Sequence, residues 1–313
     1  MITRTLEALL IAVTVLPGGW AASPQSPSAP TFRGGVDLVT VSVVVNDRNG
    51  RPVTGLSRDD FELFDAGRAR TIADFRSERA PIGVAVLLDA SGSMQVGDKW
   101  AMARDVVTRL ASALEAGHDR LALFTFDTVL HEEQPFTTST ADVLRQLDRV
   151  RPWGSTALYD AAGQVGRQLA NQSGRRAIVV VSDGADNRSR ASAADVSAII
   201  SATDIPVYAV TVGSPLDKAD EDRPAGGRES RAAGALDDLT RWTGGAMFHA
   251  STPVENGAAA RQIVDELRHQ YVMSFESGLP AGWHPLLVRV HDGKLMVRTR
   301  SGYMAGPRSG DRS

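Results

Sequence analysis

Three short stretches of this sequence carry oxygen donors of the kind that hold a hard cation. They are Asp89-Ala90-Ser91-Gly92-Ser93, Ser155-Thr156, and Ser182-Asp183-Gly184. Together they offer two carboxylates and five hydroxyls, three or four of them read as donors. Mg²⁺ prefers six oxygen ligands at about 2.1 Å and keeps several of its waters, so such a set suits it. Hydroxyls are neutral ligands, and two aspartates alone leave the ion's charge only partly balanced. The site would therefore keep positive character and an open position that attracts a carboxylate. Gly92 is expected to let the chain curl so that Ser91 and Ser93 face the same way. Read singly, Asp89-Ser91-Ser93 serves equally well as a strand-to-helix turn with capping side chains. The cation reading rests on convergence. Asp160, Asp186 and Ser155 are candidates for an outer layer around the cation or for partner contact.

Convergence requires a fold that delivers three distant loops to one edge. From Ile82 to about Ala250, apolar runs alternate with amphipathic ones. Strands are expected at 82–88, 120–126, 176–182, 206–212 and 246–249. Helices are expected at 98–116, 140–149, 157–170, 192–203 and 232–243. Ala177-Ile178-Val179-Val180-Val181 is apolar at every position, as in a strand covered by helices on both faces. The alternation implies an α/β fold with a doubly wound, mostly parallel sheet, whose ligands bind at the carboxyl ends of the strands. All three donor stretches lie at or just beyond strand or helix boundaries on that side. Residues 129–136 are expected to form an antiparallel edge hairpin.

The flanks differ in texture. Val39, Val41, Val43 and Val45 alternate, and Asn49-Gly50 and Asp292-Gly293 are hairpin signals. Segments 36–79 and 269–304 are each too small to stand alone, so they are expected to pair into one discontinuous β-domain around the inserted α/β domain at 80–252, with a connecting helix at 253–268. Before them, Arg4, the apolar Leu6–Leu16 and small residues up to Ala21 read as an export signal over 1–21, too short for a membrane span. A Pro/Ser/Gly-rich linker follows at 22–35, and residues 305–313 read as a disordered tail. The polar loop 214–231 hangs on the same edge as the donors.

Composition removes other classes. The 313 residues carry a net charge of −3, which provides no basic field for nucleic acid. The absence of cysteine excludes disulfides, thiolate-bound zinc and a cysteine nucleophile. The six histidines show no metal-binding spacing, and His131-Glu132-Glu133 lacks the second histidine of a zinc hydrolase.

In order and spacing, "DASGS", "GSTALYD" and "VSDGAD" resemble the metal-ion-dependent adhesion site (MIDAS) of von Willebrand factor type A domains. The flanking "VSVVVNDRNGRPVTGLSRDDFELFDAGR" and "VRTRSGYM" resemble bacterial secreted proteins related to that family. The resemblance implies that Ser91, Ser93 and Thr156 touch the metal directly and that Asp89 and Asp183 act largely through water. It implies Mg²⁺, or else Mn²⁺ or Ca²⁺, and a non-enzymatic, secreted or periplasmic module whose protein partner supplies a carboxylate. Two rivals use the same loops: a metal-dependent hydrolase, which would need a base near the metal, and a chelatase-like subunit partnering an ATPase.

Overall fold

The computed structural model describes residues 38–184, 186–213, 229–278 and 280–305, with the side chains of 229–235 left aside. The expected signal and linker, most of loop 214–231, and the tail beyond Ala305 lie outside those residues. No helix among the described residues is long and apolar enough to cross a membrane.

The chain opens with β1 (Leu38–Asn46), whose Val41, Val43 and Val45 point into a core. Asn49-Gly50 does turn the chain, with Gly50 at φ +74°, but the hairpin stops at a single Asn46–Pro52 bridge. The ladder positions beside β1 are occupied instead by strands from the far end of the sequence. Next come β2 (Phe61–Asp65) and β3 (Arg68–Arg70), joined by Ala66 and Gly67, both at positive φ as a tight two-residue hairpin turn requires. The short β4 (Asp74–Arg76) leads into the α/β region.

That region runs β5 (Ile82–Asp89), α1 (Lys99–Ala113), β6 (Arg120–Phe126), β7 (Leu130–Thr137), α2 (Thr140–Leu147), α3 (Leu158–Ala170) and β8 (Arg175–Ser182). It continues with α4 (Ala193–Ser201), β9 (Val207–Val212), α5 (Glu229–Thr243), β10 (Met247–Ala250) and α6 (Pro253–His269). The sheet order is β10-β9-β8-β5-β6-β7, parallel throughout except for the edge strand β7, which runs back along β6. Alternate residues of β5 serve two cores. Val84, Val86 and Leu88 pack with α1, α2 and α6, while Ala85 and Leu87 pack with α3, α4 and α5. Helices thus cover both faces, and every residue of β5 is buried. From β5 the chain moves outward to β6 and β7, then returns on the other side to β8. The strand order therefore reverses at β5, and its carboxyl end borders a crevice.

The last stretch holds β11 (Tyr271–Glu276), β12 (Gly282–Val290), β13 (Met296–Thr299) and β14 (Gly302–Ala305). Two antiparallel sheets, β13-β1-β11-β4 and β14-β12-β2-β3, enclose a third core with Phe61, Leu63, Tyr271, Phe275 and Val288. The fold is thus a mixed α/β sheet flanked by a small β sandwich built from both ends of the described chain. Asp292-Gly293 departs from expectation. It turns the chain sharply, yet β12 pairs with β14 over Gly282–Pro285 and with β2 over Leu286–Val290, while β13 pairs with β1 in the other sheet. Two buried clusters weld the sandwich to the α/β sheet. Glu266 of α6 accepts from Asn46 at 2.8 Å and pairs with Arg298, while Arg300 donates to the carbonyls of Thr40 and Ser201 and faces Asp204.

Candidate metal centre

The crevice at the carboxyl ends of β5 and β8 gathers the three donor stretches. Asp89 ends β5 and is fully buried. Its carboxylate accepts from the Ser91 backbone N–H at 2.9 Å and from the Ser182 hydroxyl at 2.6 Å. The second contact follows from register: Leu88 lies beside Val181, so Asp89 and Ser182 are neighbours across parallel strands. Both donors are neutral. Burial pushes the Asp89 carboxyl up from the usual 3.8 to about 6, against the lowering effect of the Ser182 and Ser91 hydrogen bonds, with Asp183 adding repulsion.

Beyond Asp89 the chain forms a short 3₁₀ turn, Gly92–Gln95, pinned by the fully buried Met94. That turn brings the Ser91 and Ser93 hydroxyls to 3.0 Å from each other. Gly92 is needed for space rather than for curl. Its φ is not positive, but a Cβ there would sit 3.2 Å from the Gly154 carbonyl oxygen.

That close approach stitches the second loop to the first. Gly92 N–H donates to Gly154 at 2.9 Å, and Trp153 N–H donates to Ala90 at 2.6 Å. Thr156 is thereby held at the crevice, buried, with Ser155 half-buried beside it. The third loop is tied to the second in turn. Thr156 N–H donates to the Asn187 side chain at 3.1 Å, and the Thr156 carbonyl accepts from the backbones of Asn187 and Arg188. Asp183 follows Ser182, and its carboxylate meets Lys99 Nζ at 3.2 Å.

Asp89, Ser91, Ser93, Thr156 and Asp183 are therefore borne on three interlocked loops at one crevice. Asp160 and Asp186 are occupied elsewhere. Asp160 accepts from the backbones of Arg190 and Ala191, and Asp186 caps the start of α3 at Tyr159 while closing a turn through Arg188 and Ser189. These bonds shape the loops that present Thr156. The sequence pattern assigns no separate role to Ser182 or Lys99. The Ser182 bond to Asp89 depends on the register of β8 beside β5.

Among the described residues no three acidic or histidine side chains cluster closely enough to hold a metal on their own. The donors gathered here are of another kind: two carboxylates and several hydroxyls, all oxygen. A buried carboxylate held only by neutral donors, beneath paired hydroxyls, fits a hard divalent cation.

Residues 84–185 match the family model of the von Willebrand factor type A domain, and the match runs from within β5 to just past β8 of the doubly wound sheet. No curated protein matches the chain. Among solved structures, the chain is similar to an aerotolerance-related membrane protein from Bacteroides fragilis, at 20% identity over 59% of this chain and 98% of that one, TM-score 0.49. It is also similar to a von Willebrand factor type A protein from Catenulispora acidiphila, at 12% identity over 87% and 75% of the two chains, TM-score 0.49. A third is proximal thread matrix protein 1 of the mussel byssus with a zinc-occupied MIDAS motif, at 15% identity over 65% and 49%, TM-score 0.49.

Proposed function

We propose that the β5–β8 crevice is a divalent-cation site through which the protein binds an acidic group of a protein partner, without turnover. Ser91, Ser93 and Thr156 would hold the cation, with Asp89 and Asp183 balancing its charge through water. The bound ion would supply one open, positively charged position for a carboxylate. The observation that carries the reading is the fully buried Asp89 carboxylate, hydrogen-bonded only to neutral donors beneath the Ser91–Ser93 pair. Mg²⁺ is the expected ion, with Mn²⁺ and Ca²⁺ as alternatives of the same oxygen-seeking kind.

Export to the periplasm or beyond belongs to the same reading and rests on the sequence pattern of residues 1–21; amino-terminal mass spectrometry of the envelope-fraction protein tests it. For the site itself, titration calorimetry with Mn²⁺ is expected to show one site that weakens at least about tenfold in Thr156→Val, which removes one hydroxyl and keeps the shape. Wild-type protein that binds neither Mn²⁺ nor Mg²⁺ at millimolar concentration would overturn the proposal.

A further inference from the structure

Lys99 is placed where a helix disfavours a cation. It is the first residue of α1, at the positive end of the helix dipole, and the preceding Asp98 makes no side-chain capping bond. Its side chain is nonetheless drawn in, 16% exposed, to reach Asp183, which is 6% exposed. Ordering a long lysine chain against the dipole and out of water requires a strong counter-charge. Asp183 supplies it.

The two aspartates of the crevice are thus treated differently. Asp89 is met by the Ser91 amide and the Ser182 hydroxyl, Asp183 by an ammonium. A divalent ion using Asp183 would enter the same neighbourhood and meet a positive charge already there.

Resting on the cation-site reading above, we propose that Lys99 is a resident counter-ion that occupies Asp183 when the divalent ion is absent and competes with it. Lys99 holds the third loop in place in the empty site and sets the metal concentration at which the site fills. Loading moves the ammonium off Asp183 and leaves it at the crevice rim.

The test is Mn²⁺ affinity, read as free Mn²⁺ by electron paramagnetic resonance, for wild type, Lys99→Met and Lys99→Gln. Both variants are expected to bind about tenfold more tightly than wild type, because the competing charge is gone. In EDTA both are expected to melt below wild type, and Mn²⁺ is expected to raise their melting temperatures by more. The glutamine variant keeps a donor toward Asp183 and guards against loss of the loop's fold. A purely structural role for Lys99 predicts weaker Mn²⁺ binding in both variants. Equal or weaker binding, with wild type still binding, overturns this inference and leaves the cation site standing. No binding by any of the three overturns both.

Discussion

Asp89→Asn is the substitution that most sharply separates a cation ligand from a structural carboxylate. The side chain is fully buried, and desolvation raises its carboxyl from the usual 3.8 to about 6. At about 1.4 kcal/mol per pH unit, keeping it ionised at neutral pH disfavours the metal-free fold by about 3 kcal/mol. The sign follows from proton binding. Between pH 3.8 and about 6 the folded chain holds a proton that the unfolded chain has released, so stability falls as pH rises through that window. Above about 6 the penalty is complete; below 3.8 it vanishes. Asparagine keeps the shape and an acceptor for Ser91 N–H but carries no charge. Urea denaturation in EDTA should therefore find Asp89→Asn more stable than wild type by up to about 3 kcal/mol at pH 7.5, with the gap closing toward pH 4. Divalent ion should reverse the order. At a thousandfold excess over its dissociation constant it adds about 4.1 kcal/mol to wild type, more than that gap, and nothing to the variant. An Asp89→Asn protein that is less stable than wild type in EDTA at pH 7.5 would refute the reasoning, since the carboxylate would then be serving the fold itself.

Other expectations concern the frame and the rim. Arg298→Ala removes the cation paired with the buried Glu266 carboxylate, leaving it only neutral donors such as Asn46, and should lower stability by about 3–5 kcal/mol in a denaturation series. In Gly166→Ala, the new methyl would lie 2.7 Å from Ile200 Cγ1 between α3 and α4, costing about 1–3 kcal/mol by thermal melting while leaving Mn²⁺ affinity unchanged. Trp153, 78% exposed on the loop beside the crevice, should tolerate Trp153→Ser within about 0.5 kcal/mol, as calorimetric melting would show.

The α/β region was readable because its signals are local. Ala177–Val181 is apolar at every position because both faces of β8 are covered, and β5, β6 and β9 follow the same logic. The donor set was readable for a related reason: each stretch is contiguous, and the rule that ligands gather at strand carboxyl ends assembles them. What stayed hidden depends on neighbours distant in sequence. The bond from Ser182 to Asp89 exists because β8 lies beside β5 in one register. The roles of Asp160 and Asp186 are set by backbone groups brought to them from across the α3 and α4 starts. Asp292-Gly293 has the chemistry of a hairpin, and only the long-range pairing of β13 with β1 shows that it joins two different sheets. Lys99 reads in sequence as an ordinary helix-start lysine until Asp183 is found beside it.

The pairing of Leu38 with Glu276 has a consequence in time. As the chain leaves the ribosome at about 5–20 residues per second, β1 emerges roughly 10–50 seconds before the strand that completes it. During that interval Val41, Val43 and Val45 are a bare aggregation-prone strand, while the α/β sheet, whose strands follow one another closely, can already assemble. The sandwich can therefore close only after β11 has emerged. A chain cut short before Tyr271 would hold every candidate cation ligand and yet carry an unpaired, sticky amino end.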